Sequence, residues 1–331
     1  MPKILVTGGA GYIGSHTCLA LVQGGYDVLV LDNLSTGRKE MVLPPARLVH
    51  GDLSDSGLVR ELLHREAPDA VIHFAASIVA PESVAAPLKY YCNNVSTTAS
   101  LALAVVEARV PHFVFSSSAA VYGTAQGCTV DEASPVEPIT PYGSSKLMCE
   151  RILHDAALAH PGFVPVSLRY FNVAGADPEG RLGNVTPDAT HLIKVACLTA
   201  LRVRPVLQVF GTDYPTPDGT CTRDYVHVSD LADVHVAMLR HLEQGGRGGV
   251  FNCGYGRGFS VRQIVETVRK VSGVDFPVEH VDRRPGDPPS LVADCSKLVK
   301  ATGWKPRRDA IEDIVRDTLE WERRRLRQAA D

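Results

Sequence analysis

Residues 7–16 read Thr7-Gly8-Gly9-Ala10-Gly11-Tyr12-Ile13-Gly14-Ser15-His16. Two glycine patterns overlap there: GxGxxG at Gly9, Gly11 and Gly14, and the wider GxxGxxG at Gly8, Gly11 and Gly14. The stretch follows an apolar run, Ile4–Thr7, and opens a helical pattern from Tyr12. In a strand–turn–helix of this kind, missing Cβ atoms let the backbone approach a pyrophosphate and let the helix pack close to a sheet. The helix N-terminus adds free N–H groups and the positive end of a dipole. A second apolar run, Val28–Leu31, ends in Asp32, 18 residues after Gly14. A carboxylate there accepts ribose hydroxyls and repels a 2′-phosphate, so NAD is favoured over NADP.

Outward from this unit the pattern repeats. Asp27–Leu31, Arg47–His50, Ala70–Phe74, His112–Ser116 and Val164–Arg169 are short, nearly continuous apolar runs. Such runs suit parallel strands buried on both faces. Helical patterns lie between them, at about 12–24, 55–66, 87–109 and 141–160. The alternation predicts an α/β protein with a doubly wound, Rossmann-type parallel sheet. Beyond residue 172 the texture changes: Asn172–Asp188 and Gly211–Thr222 are rich in Gly, Pro, Asp and Thr, as long functional loops are. Helical patterns return at about 186–202, 229–243, 260–272 and 309–327. Val250–Cys253 reads as one more strand, able to rejoin the first sheet. The expected division is therefore 1–172, the dinucleotide-binding domain, and 173–331, a smaller α/β substrate domain, with segments such as 226–255 returning to the first.

The length of 331 residues supports this two-part division, and a formal charge of −3 without a basic run argues against nucleic-acid or membrane-surface partners. No apolar stretch has the length of a membrane span. The eight cysteines stand singly with no CxxC pair, which argues against a zinc or redox site and fits a reducing, cytoplasmic setting. Cys18 and Cys197 read as buried thiols, and the Asn94 and Asn184 sequons as accidents of composition. His227 and His235, near Asp230 and Asp233, match no metal-ligand spacing, and no metal is expected.

Chemistry enters at residues 141–146, Pro-Tyr-Gly-Ser-Ser-Lys. On a helix Tyr142 and Lys146 share one face, one turn apart. An ammonium near a phenol favours phenolate, and a tyrosine so tuned serves as general base or acid near neutral pH. Upstream the fifth run ends in Ser116-Ser117-Ser118, whose hydroxyls could share the proton path. With the glycine fingerprint and the serine-tipped strand, the chain resembles an extended short-chain dehydrogenase/reductase.

Longer stretches sharpen the resemblance. Phe115-Ser116-Ser117-Ser118-Ala119-Ala120-Val121-Tyr122-Gly123 is similar to the serine segment of nucleotide-sugar epimerases, whose third serine is catalytic. Related dehydratases carry an acidic pair where this chain has Ala119 and Ala120, so dehydration lacks its machinery. Arg169-Tyr170-Phe171-Asn172, the run Tyr214–Thr220 with Arg223-Asp224-Tyr225, and Arg283-Arg284-Pro285-Gly286-Asp287 resemble the UDP-glucose 4-epimerases in particular. The resemblance runs nearly end to end. It implies Tyr142, Lys146 and Ser118 as catalytic residues and NAD as cofactor. The cofactor-binding set it implies is Gly8, Gly11, Tyr12, Ile13, Gly14, Asp32, Asn33, Asp52, Leu53, Phe74, Ala75, Ala76, Asn93, Ser116, Tyr142, Lys146 and Tyr170. For a UDP-hexose it implies Ser118, Tyr142, Phe171, Asn172, Arg223, Arg284 and Asp287, with Arg223 and Arg284 on the diphosphate, where planar guanidinium forks suit paired oxygens. Without the resemblance, Arg223 reads as an ion-pair partner of Asp224, and Arg284 as a loop cation.

The implied reaction interconverts UDP-glucose and UDP-galactose by transient oxidation at C4. Other UDP sugars (xylose/arabinose, glucuronate, N-acetylglucosamine) remain open alternatives, and so, at greater distance, do a reductase or dehydratase and a non-catalytic NAD-binding regulator. Three positions bear on detail. Ile78 stands where well-known members have a phosphate-reaching lysine, and residues 184–194, where a uracil contact by His191 would fall, depart from the family pattern. Leu291 falls at the position that gates sugar size, a bulky residue favouring the plain hexose. Assembly as a homodimer through a four-helix bundle of 87–109 and 141–160 is implied as well.

Overall fold

A computed structural model describes residues 1–124, 129–186, 190–284 and 287–328. The first half comprises β1 (Lys3–Thr7), α1 (Tyr12–Gln23), β2 (Asp27–Asp32), β3 (Arg47–His50), α2 (Ser56–Glu66), β4 (Ala70–His73), α3 (Ala80–Ala85), α4 (Pro87–Tyr90), α5 (Thr97–Glu107), β5 (His112–Ser118), β6 (Thr129–Val130), α6 (Pro141–Ala159) and β7 (Val164–Tyr170). The second comprises β8 (Asn172–Ala174), α7 (Leu192–Ala200), β9 (Leu207–Phe210), β10 (Thr222–His227), α8 (Val228–Glu243), β11 (Gly249–Cys253), β12 (Gly258–Ser260), α9 (Val261–Ser272), β13 (Val278–Val281), β14 (Ser290–Ala293), α10 (Ser296–Thr302) and α11 (Ile311–Gln328).

Seven strands form one wholly parallel sheet in the order β11-β7-β5-β4-β1-β2-β3. Alternate residues of its strands feed opposite faces. Ile4, Val6, Val28, Val30, Ile72 and Val114 join one core cluster, with Leu231 and Leu239 of α8. Leu5, Leu29, Leu31, Val71, Phe113 and Phe115 join the other, with Leu62, Leu101 and Leu153 from α2, α5 and α6. Burial on both faces is why these strands read as unbroken apolar runs, each such side chain contributing about 1.5–3 kcal/mol. The fold is thus the expected doubly wound α/β arrangement. Chain order reverses between β1 and β4, the switch point at which open parallel sheets bind ligands.

The late strand β11 adds to the edge beside β7, with Val250 opposite Ser167 and Asn252 opposite Arg169. The remaining strands build smaller sheets around β10, which pairs with β8, β12 and β14, while β9 pairs with β13. These strands are two to six residues long, too short for a clear apolar pattern, and the sequence reading misses them. One carboxylate organises them: buried Asp224 on β10 accepts backbone N–H groups from Tyr255 (2.9 Å), Gly256 (2.9 Å) and Ala293 (3.2 Å).

The chain is helical from Pro87 to Glu107, as expected for 87–109. A π turn, Tyr91–Ser96, separates α4 from α5. Within the expected helix at 186–202, α7 covers Leu192–Ala200, while residues 187–189 lie outside the described residues, as do Pro285 and Gly286 of the arginine motif. Both sequon asparagines, Asn94 and Asn184, are buried, as are Cys18 and Cys197. Among the described residues no helix is long and apolar enough to cross a membrane.

Candidate active site

The glycine turn lies at the sheet's switch point. Gly8 has φ +73°, and a Cβ on it would stand 2.6 Å from the backbone nitrogen of Ala75, which follows β4. A Cβ on Gly14 would stand 2.3 Å from the carbonyl oxygen of Gly8. Only glycine allows both approaches, which close the turn against the sheet and the helix against the turn. Gly11 caps α1 in extended conformation and gives it no side-chain cap. The first N–H groups of α1 therefore remain available to an anion, the arrangement that binds a pyrophosphate. Asp32, at the end of β2, accepts the Ala10 N–H at 2.9 Å and the Leu34 N–H at 2.8 Å, leaving lone pairs for hydroxyl donors. Together these features fit a dinucleotide.

Other expected cofactor residues gather around this turn. Asn33 donates to Asp52 at 2.6 Å, and that bond, with the Ser54 N–H, holds the Asp52 carboxyl below its ordinary range. Asp52 lies two residues beyond β3. The Leu53 side chain belongs to the core under α2, and Ile13 packs against the other core face. The Tyr12 hydroxyl donates to the Gly175 carbonyl at 2.7 Å, and the Phe74 ring lies 4.9 Å from that of His235. Ile78, in the lysine's place, is half exposed.

The serine-tipped strand and the tyrosine helix meet. The Ser118 hydroxyl lies close enough to the Tyr142 phenol to bear on its ionisation. Thr140 caps α6 by accepting the Gly143 N–H at 3.2 Å, with Pro141 in its first turn, which sets Tyr142 at the helix's open end. The Lys146 ammonium, buried one turn on, donates to the Ser116 carbonyl at 2.7 Å. The expected lowering of the tyrosine pKa is absent: burial of the ring raises it, and the nearby Ser118 hydroxyl pulls the other way. Burial likewise lowers Lys146, to about 8. At that value the ammonium still holds most of its charge near pH 7, whereas burial works against the phenolate, which needs further positive charge in the site.

Tyr170, the last residue of β7, donates its hydroxyl to His235 Nε2. The direction follows from the other ring nitrogen, Nδ1, which lies 2.8 Å from the Leu231 carbonyl and so carries the proton. His73, at the end of β4, lies 2.7 Å from the Thr7 hydroxyl and 3.0 Å from that of Thr98. Asn93 is exposed and donates to Ser77 at 3.0 Å.

Its neighbour Asn94, missed in the sequence, ties the site together. Its side chain accepts the Ser77 N–H (2.8 Å), donates to the Ser77 carbonyl (3.0 Å) and donates to the Ser145 hydroxyl (3.0 Å). Ser145 in turn donates to the Tyr142 carbonyl at 2.7 Å. The loop after β4 and the first turn of α6 are thereby held through one amide. The Asn-Asn pair was the available signal, but the π turn that buries the second amide has no pattern of its own.

A small apolar cluster contains Phe171, Leu291, Ala119, Val121 and Leu147. Arg223 on β10 donates to Asp287 at 3.3 Å rather than to its neighbour Asp224, which the backbone amides occupy. The Arg284 guanidinium stacks on Phe210, 3.6 Å from the ring centroid. Asn172 opens β8 with an exposed side chain, opposite Tyr225.

Known proteins of the same construction exist. Residues 4–254 match the model of the NAD dependent epimerase/dehydratase family. A UDP-glucose 4-epimerase of Azospirillum brasilense is 53% identical, the alignment covering 97% of this chain and 92% of that protein. A crystal structure of UDP-glucose 4-epimerase from Brucella ovis in complex with NAD superposes with TM-score 0.93 at 44% identity, over 97% and 98% of the two chains. One from Bifidobacterium longum, in complex with NAD+ and UDP, gives TM-score 0.92 at 38% identity, over 97% and 98%.

Proposed function

The chain belongs to the NAD dependent epimerase/dehydratase family and, within it, to the UDP-glucose 4-epimerases, and we propose that Tyr142, Ser118 and Lys146 carry out the C4 chemistry that interconverts UDP-glucose and UDP-galactose. The observation that carries this reading is the meeting of Ser118 and Tyr142, with Lys146 one turn behind, at the sheet's ligand-binding edge.

NAD is the cofactor, and when bound it would supply the acceptor for the C4 hydride of the sugar and its donor on return. The glycine turn and the open end of α1 hold its pyrophosphate, and Asp32 its adenosine ribose. Tyr142 removes the proton of the 4-hydroxyl, and Ser118 hydrogen-bonds the same oxygen as its charge changes. Lys146 supplies a cation in a dry setting, where its field is strong. Arg223 and Arg284 clamp the UDP diphosphate, Asp287 turns from Arg223 to the UDP ribose, and Asn172 binds phosphate or hexose. Between those anchors the 4-keto sugar turns over against Phe171 and Leu291. An apolar wall with few donors supports this step, because it holds neither face of the sugar preferentially. The residue ranges 1–172 and 173–331, with 226–255 crossing back, are then the cofactor and substrate halves. A homodimer through the helices at 87–109 and 141–160 is supported by the exposed Leu88, Leu103, Met148 and Leu158. The seven described cysteines, all free thiols, support a cytoplasmic setting.

Incubation with a panel of UDP sugars, followed by separation of the products, tests the reading. UDP-galactose and UDP-glucose should each yield the other without added cofactor. In Tyr142→Phe, turnover should fall by a factor of about 10²–10⁴ with UDP binding kept. Full turnover in that variant, or stoichiometric consumption of NADPH by the wild type, would overturn it.

A further inference from the structure

Behind the site lies a charged group that the proposed chemistry does not use. Glu150 and Arg169 are both almost completely buried and form a two-pronged ion pair, Nε to Oε1 at 3.0 Å and Nη2 to Oε2 at 2.7 Å. The Ser117 hydroxyl donates to the same carboxylate. The guanidinium lies 4.8 Å from the ring centroid of Tyr122, whose hydroxyl donates to Asn252 at 2.7 Å.

Stability alone does not call for such a pair. Removing two charges from water costs about as much as their attraction returns, and apolar side chains of similar volume serve a core as well or better. Its connections are more informative. Ser117 and Arg169 stand opposite each other in the β5–β7 register, and the next rung is Ser118 opposite Tyr170. On α6 the residues 142, 146 and 150 follow at intervals of four, one stripe of the helix. Glu150 thus grips both strands one rung below Ser118 and fixes α6 two turns below Tyr142. The planar fork admits little rotation or sliding of the helix.

Resting on the reading of Tyr142 and Ser118 given above, we propose that Glu150 and Arg169 are positioning residues: their ion pair sets the spacing between the Ser118 hydroxyl and the Tyr142 phenol. The substrate anchors lie on other elements, so disturbing the pair should lower kcat and leave KM in place.

The test compares wild type, Glu150→Leu/Arg169→Met and Ser117→Ala by steady-state turnover of UDP-galactose, NAD content, UDP binding and thermal unfolding. The double exchange leaves no buried charge unpaired, so the variant should fold and retain NAD. Its kcat should fall about tenfold or more with KM within about twofold, because small misplacements of reacting groups have effects of that size. Ser117→Ala removes only the hydroxyl link and should lower kcat by a factor of about three, again with KM kept. A folded, NAD-loaded double variant with wild-type kcat overturns the proposal. Should the double variant not fold, a wild-type kcat in Ser117→Ala overturns it. Failure of the wild type to interconvert the two UDP sugars overturns the underlying reading, and the positioning role with it.

Discussion

The Asp32 carboxylate and the Ala10 N–H are joined at 2.9 Å, so the acid at the end of β2 holds the glycine turn as well as facing its ligand. The same carboxylate holds the Leu34 N–H at 2.8 Å. Asp32→Ala would leave two backbone donors without their partner. A loss of about 1–3 kcal/mol per stranded group bounds the effect, reduced wherever water reaches them. We expect a lower Tm, NAD lost during purification, and activity that excess NAD restores only in part. Retention of NAD at the wild-type level would show that Asp32 matters to neither turn nor cofactor.

Acid should destabilise the protein well before its carboxylates are protonated. Burial lowers His73 to about 3 and His16 and His235 to about 4, against an ordinary value of 6.5. Between pH 6.5 and about 4 the unfolded chain therefore binds more protons than the folded one. Stability is complete above 6.5 and falls as pH falls through that window, by about 1.4 kcal/mol for each unit of displacement. Thermal unfolding at a series of pH values should show the decline, and His235→Gln should flatten it. A Tm unchanged from pH 7 to pH 4.5 would contradict the assignment of neutral, buried rings.

Leu291 lies in the same apolar cluster as Phe171 and is nearly buried. Leu291→Ala should cost about 2–5 kcal/mol, or less if the cluster closes over the gap. The space gained should favour the N-acetylated sugar, raising its kcat/KM relative to UDP-glucose by a factor of about 10–200, the usual range for apolar pocket changes. Competition between UDP-glucose and UDP-N-acetylglucosamine measures that ratio directly. An unchanged ratio would remove Leu291 from the gate.

The cofactor half was legible because its rules are local. Buried parallel strands such as Ala70–His73 display their burial as composition, and Gly8, Gly14 and Asp32 answer demands made within one βαβ unit. The Ser118–Tyr142 meeting was legible through motif spacing, but the phenol's pKa was not: burial is a property of the assembled ring, invisible in a helical stripe. Asn94 and Asp224 escaped because their partners lie far along the chain, Ser145 in one case and Tyr255 and Ala293 in the other. Arg223 was read beside Asp224, its sequence neighbour, yet alternation along β10 turns the two side chains apart, and Arg223 meets Asp287 instead.

The placement of β11 beside β7 has a consequence for biosynthesis. Residues up to Tyr170 can leave the ribosome and form six strands, but β7 then ends the sheet with bare amides and carbonyls. Its cover arrives roughly 80 residues later, a delay of about 4–16 s at ordinary rates of translation. During that interval the nascent chain carries an unpaired strand edge of the kind that recruits foreign strands. Ribosome-stalled chains ending before Gly249 should therefore cross-link to chaperones that capture extended segments, and chains stalled well beyond Cys253 should not.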